Sequence, residues 1–179
     1  ALMDFSDVAL GRCPLARAVV PHPTLKGLSL LTSPMSLPAS LTPEKIRALL
    51  DTARSMYDYI LIDSPAGLGA GFRLAICGAD RAVVVATNDA SSLRDAQRTV
   101  SELDHMRQVH LVMNRIQTKL LRRLRATIDD AMDAAGLPLI GVVPEDPYVI
   151  LCANLGQPLT DRGKRGAALA CWNIARRLE

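Results

Sequence analysis

The chain has 179 residues, 49% of them hydrophobic but only 3% aromatic, enough for one domain with an aliphatic core. Its formal charge of +3 is too small to point to nucleic acid, and no apolar run reaches the ~18 residues of a membrane-spanning helix. The four cysteines (Cys13, Cys77, Cys152, Cys171) form no CxxC pair and have no His cluster beside them, which argues against zinc and reads as free thiols of a reducing cytosol.

Residues 1–26 read as irregular or partly helical, and the start "ALMDFSDVALGRC" has no basic and apolar leader character. "LSLLTSP" (28–34) reads as a short strand. "TPEKIRALLDTARSM" then opens a helix with Thr42 as its cap, Pro43 in the first helical position and Glu44 at the positive end. Ile46, Leu49, Leu50 and Ala53 share its apolar face. "YDYILID" (57–63) is the second strand and "GFRLAICGA" a short helix. "RAVVVAT" is the third strand, and the helix after it, "SSLRDAQRTVSEL", takes Ser91 or Ser92 as cap. "QVHLVMNRI" is the fourth strand, "KLLRRLRATIDDAMDAAG" a helix closed by Gly136, and "LPLIGVVP" the fifth strand. "DPYVILCANLG" is a short helix, and a last helix covers roughly 162–178. Its stripe Ala168, Cys171, Trp172, Ala175 and Leu178 reads as core packing rather than a membrane face. Continuous apolar strands alternating with helices predict an α/β fold, a mostly parallel sheet with helices on both faces.

Ligands of open parallel sheets bind beyond the carboxyl ends of the strands. Asp63 ends one such strand, followed by the turn "SPAGLG", in which Gly67 and Gly69 let backbone come close to a phosphate or a water. A carboxylate in that place can hold Mg²⁺ beside nucleotide phosphates; it also reads as a plain turn or cap residue.

Three further stretches, "TNDASSLRDAQRTV" (87–100), "VMNRI" (112–116) and "IGVVPEDPYVILCANLGQPL" (140–159), join "LIDSPAGLGAG" in an order and spacing that resembles the MinD/ParA family of deviant Walker-A P-loop ATPases, and within it the septum site-determining MinD branch. The resemblance covers essentially the whole chain. It implies that Asp63 is the Walker B aspartate that organises Mg²⁺, and that Ser64 to Gly67 form the switch that senses the γ-phosphate. It implies that Asn114 meets the adenine edge, that Arg115 lies beside the base, and that Pro144, Glu145 and Asp146 border the adenine. Arg94 and Asp95 match a helix that serves regulators of the MinC and MinE type. Without the resemblance, Asn114 also reads as a strand-end turn residue, Arg94 and Asp95 as a solvated helix face, and Asp146 as a helix N-cap. The Arg-rich "KLLRRLR" reads as a solvated face.

None of the four lysines (Lys26, Lys45, Lys119, Lys164) sits in a GxxxxGK loop. The chain therefore reads as a single domain over 1–179, the carboxy-terminal two thirds of a MinD-like ATPase domain, with the amino-terminal strands and their phosphate loop missing. A strand absent from the sheet centre predicts unpaired backbone and exposed apolar surface around the 57–63 strand. For the whole protein the resemblance implies ATP or ADP with Mg²⁺, ATP hydrolysis, an ATP-dependent homodimer and a role in division-site placement. It implies a cytoplasmic protein whose peripheral membrane contact belongs to a longer form. The chain alone is expected to be inactive. The alternatives are a catalytically inactive scaffold of the same fold, or a ParA-type partitioning ATPase, which the modest charge does not favour.

Overall fold

The computed structural model describes residues 3–117, 132–133 and 135–179. They fall into two compact units, 1–79 and 80–179.

The first unit is mostly helical. Helices α1 (Phe5–Ala9), α2 (Leu15–Ala18), α3 (Pro43–Arg54) and α4 (Ala70–Ile76) accompany a two-residue antiparallel ribbon, β1 (Val20–Pro21) with β2 (Ser29–Leu30). Leu41, Ile46, Leu49 and Leu50 form its core, with Phe5, Val8, Leu31 and Leu74 packed around them. The apolar face read from the spacing of α3 is thus the buried one. Thr42 does occupy the position before α3, but its side chain caps nothing; its hydroxyl engages Glu44, whose carboxyl is held below its usual range first by that bond. The strand expected over 28–34 shrinks to Ser29–Leu30, which pairs antiparallel with the two residues of β1, so its ladder is no longer than that partner.

The strand expected over 57–63 does not form. Among the described residues nothing pairs with it, and Tyr59, Ile60, Leu61 and Ile62 lie exposed, Leu61 at 93%. A strand exists only where a neighbour takes its N–H and C=O groups. An apolar run ending on Asp63 is therefore not sufficient by itself.

The second unit holds a three-stranded parallel sheet, β3 (Ala82–Ala86), β4 (Val109–Ile116) and β5 (Leu139–Pro144), in that spatial order. Leu111, Val112 and Met113 are consecutive and all buried, so β4 is covered on both faces. Helix α5 (Ala90–Glu102) packs on β3, and α7 (Gly166–Leu178) packs on β5. Between them in sequence lie α6 (Pro147–Leu155) and a 3₁₀ turn at Leu159–Arg162. β3 has a strand neighbour on one side only among the described residues, and its Val83 and Val85 are exposed. The helix expected over 119–136 lies largely outside the described residues. Its stop signal does not: Gly136 is left-handed at φ 66°, and its N–H donates to the Met132 carbonyl.

Two more expectations move by a residue or three. The cap of α5 is Asp89, whose carboxylate accepts from Ser92 N–H at 2.9 Å, while the Ser92 hydroxyl turns back to accept from Thr87 N–H. The packed stripe of α7 is Ala167, Ala170, Ile174 and Leu178 against Val112, Ile140 and Val143, and Cys171, Trp172 and Ala175 face solvent. The reason lies on the sheet: Gly141 leaves a hollow under Ile174, and small alanines on that side let the helix close onto it. Trp172 instead lies under the Lys164 ammonium, 4.9 Å from the ring centre. No helix of the described residues is long and apolar enough to cross a membrane.

Candidate functional site

The carboxyl ends of β3, β4 and β5 lie side by side because the sheet is parallel. Thr87, Asn88 and Asp89 follow β3, Gln117 follows β4 and Glu145 follows β5. Together with Arg115 they line a cavity of about 240 Å³. That is smaller than the roughly 300–1,000 Å³ of sites for drug-sized ligands, and suits a planar fragment such as a nucleobase.

The end of β4 is irregular in a way that shapes this cavity. Met113 pairs with Val142 but Ile116 pairs with Pro144, so β4 carries one residue more than β5 between those pairs. The extra residue makes a bulge at Asn114–Arg115. Arg115 has φ 54°, the sole left-handed non-glycine among the described residues. A side chain in that region costs on the order of 1–2 kcal/mol, and such strain collects at sites where a side chain must be aimed. Asn114 supports the bulge: its Oδ1 accepts the Arg115 N–H at 2.9 Å. Because a backbone N–H can only donate, the Asn114 amide is fixed with its NH₂ away from that bond.

The bulge sends the Arg115 guanidinium towards Glu145, with Nη2 3.5 Å from Oε1. The other carboxylate oxygen of Glu145 accepts from the Gln117 amide NH₂. The Glu145 N–H donates to the Ile116 carbonyl at 3.1 Å, tying the loop after β5 to the end of β4. On the β3 side the Thr87 hydroxyl donates to Asp89. That bond, with the N–H groups at the start of α5, holds the Asp89 carboxyl below its usual range.

Of the residues expected from sequence, Arg115 and Glu145 line the cavity, and Asn114 and Pro144 sit on the strand ends that form it. Asp146 is committed elsewhere. Its Oδ1 accepts from Tyr148 N–H at 3.0 Å, capping α6, and its Oδ2 accepts from Ala167 N–H at 3.0 Å at the start of α7. Those bonds, Ala167 first, hold its carboxyl below the usual range, helped by the Arg162 charge. Gly166, left-handed at φ 50°, has no Cβ because one would sit 2.3 Å from Asp146 Oδ2. Asp146 faces a different cavity of about 350 Å³, also lined by Tyr148 and Arg162, whose guanidinium lies 4.0 Å above the Tyr148 ring. Arg94 and Asp95 are exposed on α5, where Arg94 reaches the Ala90 carbonyl and Asp95 lies 3.8 Å from Arg98.

Asp63 and Gly67 belong to the first unit. Asp63 is exposed and has no hydrogen-bond or ion-pair partner among the described residues, and Gly67 is left-handed at φ 84° in the turn that follows it. No three His, Cys, Asp or Glu side chains of the described residues gather to hold a metal. A single open carboxylate still fits Mg²⁺, which takes one or two protein carboxylates and completes its shell with water and phosphate. Among the lining residues, Thr87, Asn88 and Asp89 open the stretch "TNDASSLRDAQRTV" without a role of their own there, and Gln117 lies just past "VMNRI". Their signal was positional: each stands one to three residues beyond a parallel strand.

No family model matches the chain. The septum site-determining protein MinD of Helicobacter pylori is 37% identical over 186 residues, which cover 98% of this chain and 69% of that protein. The chain spans about two thirds of the length of the curated relatives it matches. MinD in the Aquifex aeolicus MinC:MinD cell division complex superposes with a TM-score of 0.89 at 32% identity, over 98% of this chain and 72% of that one. MinD of Pyrococcus horikoshii, solved with Mg-ADP, shares the fold at a TM-score of 0.80 and 23% identity, over all of this chain and 74% of that one. The identity over nearly its full length, on a sheet that superposes this closely, shows that the chain belongs to the MinD family of septum site-determining proteins.

Proposed function

We propose that this chain is the base-binding and partner-binding part of a MinD-like ATPase that places the division site by ATP-dependent dimerisation. The observation that carries the proposal is the nucleobase-sized cavity at the carboxyl edge of β3–β5 in a chain of this family. ATP or ADP is the ligand the family suggests, as in the Mg-ADP complex of the archaeal relative. The Asn114 NH₂ is a free donor for a ring nitrogen of adenine, and the planar Arg115 guanidinium can stack on the base. Pro144 and Glu145 border the base, and Asp146 holds their loop by capping two helices.

Asp63 is the residue that would hold Mg²⁺, directly or through water, beside the phosphates, and the bound ion supplies charge stabilisation of the transferring phosphoryl group. Gly67 brings backbone N–H close to the γ-phosphate and the attacking water, an approach a side chain would obstruct. Arg94 and Asp95, charged and solvent-facing on α5, are the surface for a MinC- or MinE-type regulator, in keeping with the Aquifex complex. The whole protein is cytoplasmic and dimeric with ATP, with peripheral membrane contact in a longer form.

The test is an NMR titration of the ¹⁵N-labelled chain with Mg-ADP into the millimolar range. Amide shifts at Thr87–Asp89, Arg115–Gln117 and Glu145, weakened about ten-fold or more by Asn114→Ala, are expected. A folded chain whose resonances at those positions stay fixed would overturn the assignment.

A further inference from the structure

In the first unit, the loop that joins β1 to β2 is built around a histidine. The His22 N–H donates to the Leu28 carbonyl at 2.8 Å, which carries the Val20–Leu30 and Pro21–Ser29 pairing one rung further. Its ring turns back over the loop. Nδ1 accepts from the Leu25 N–H at 3.0 Å and from the Thr24 N–H at 3.2 Å, and the Thr24 hydroxyl lies 3.4 Å from the same atom. The chain then returns through Gly27, left-handed at φ 84°, and the Leu28 N–H donates to the Leu25 carbonyl at 3.3 Å. Two backbone donors thus converge on one ring nitrogen, much as they do on the side-chain oxygen of an Asx turn.

That convergence fixes the state of the ring. A backbone N–H can only donate, so Nδ1 must accept, and a nitrogen that accepts carries no proton. His22 is therefore the neutral imidazole with its one proton on Nε2. A second proton has only Nδ1 to go to. There it meets two N–H groups, and three donors then point at one another with no acceptor among them. The surroundings offer such a charge nothing in return. Lys26 is the other titratable side chain of residues 20–30, and Arg17 stands in the last turn of α2; both are cations. Among the described residues no carboxylate pairs with His22; the histidine that has one is His105, beside Asp104. The ring is only partly buried, so a proton reaches it from water without unfolding of the unit.

We propose that His22 is a proton-sensitive latch on the β1–β2 loop. Neutral, it holds residues 23–27 in a closed turn through the Thr24 and Leu25 N–H groups. Protonated on Nδ1, it lets both go and the loop opens, while the bond from the His22 N–H to the Leu28 carbonyl remains. The closed form is complete while the ring is neutral and is lost as pH falls through the mildly acidic range in which histidine takes up its proton.

The test is NMR of the whole ¹⁵N-labelled chain between about pH 8 and pH 5, the range that spans histidine protonation. The ring nitrogen shifts report which nitrogen holds the proton. Amide exchange at Thr24 and Leu25, divided by the intrinsic rate at each pH, reports the latch. At the upper end Nδ1 is expected bare and Nε2 protonated, with both amides protected roughly five-fold or more over His22→Ala, the range for one net hydrogen bond. That protection is expected to vanish in step with the ring's own titration, while the His22 amide keeps its protection. His22→Asn places an acceptor that does not titrate at the same distance along the side chain. It is expected to protect both amides at either pH, a rescue that general acid damage to the unit would not allow. A wild-type ring with its proton on Nδ1 at the upper pH, or protection that outlasts the ring's titration, overturns the proposal, and so does a folded His22→Asn chain that loses protection in acid as the wild type does. The wild-type measurement decides by itself if either variant misfolds.

Discussion

Gly141 sits in the middle of β5 directly beneath Ile174 of α7, and Gly141→Ala tests how that contact sets the second unit. A Cβ there would lie 2.3 Å from Ile174 Cγ1 and 2.8 Å from Cδ1. The nearer approach is about 1.1 Å short of the 3.4 Å at which ordinary contact begins. Cγ1 is bonded to a β-branched carbon in a helix, where one χ1 rotamer dominates, so the side chain cannot simply swing away. The helix or the strand must move, and overpacking of this kind costs about 1–3 kcal/mol. For a chain of this size that corresponds to a melting temperature lower by about 2–4 °C per kcal/mol. Ile174→Ala alone should cost about 1–2 kcal/mol, less than a fully buried residue, because Ile174 is half-buried. The double variant should be no less stable than Ile174→Ala, a coupling of about 2 kcal/mol that a urea-denaturation cycle with unchanged slopes would read. Additive losses, or a neutral Gly141→Ala, would refute the reasoning that this glycine exists to admit α7.

The strained bulge predicts a separation between folding and binding. Arg115→Gly relieves about 1–2 kcal/mol of left-handed strain but adds about 0.5–1 kcal/mol of chain entropy and loses a largely exposed ion pair worth about 0.5 kcal/mol. Urea denaturation should therefore find stability nearly unchanged while the Mg-ADP shifts weaken, and a loss of about 2 kcal/mol would contradict the strain argument. Asp146 predicts an acid limb. Its folded pKa is depressed, so its contribution is complete above its unfolded value of about 3.9 and is lost as pH falls through the lower folded value. Melting temperature measured against pH should fall below about pH 4 in the wild type and more shallowly in Asp146→Asn; parallel curves would remove Asp146 from the linkage.

The linear order of residues determined a good deal. Pro43 and the Ile46–Leu49–Leu50–Ala53 face specified α3, the apolar runs over 82–86, 109–116 and 139–144 specified the three parallel strands, and "DSPAG" with "GVVPED" carried the family. These are local signals: periodicity, a fixed φ, and a run of β-branched residues each act through near neighbours. The tertiary structure decided what depends on partners distant in sequence. Tyr57–Asp63 has the composition of a buried strand, yet no strand of the described residues lies alongside it, and a ladder cannot form alone. The inner face of α7 is set by the hollow at Gly141, 33 residues upstream of Ile174. The cavity exists because a one-residue bulge at Asn114–Arg115 brings Gln117 to Glu145, 28 residues away in sequence. No pattern in "NRIQ" announces that meeting, because it follows from strand register, and register is fixed only when β4 and β5 are paired.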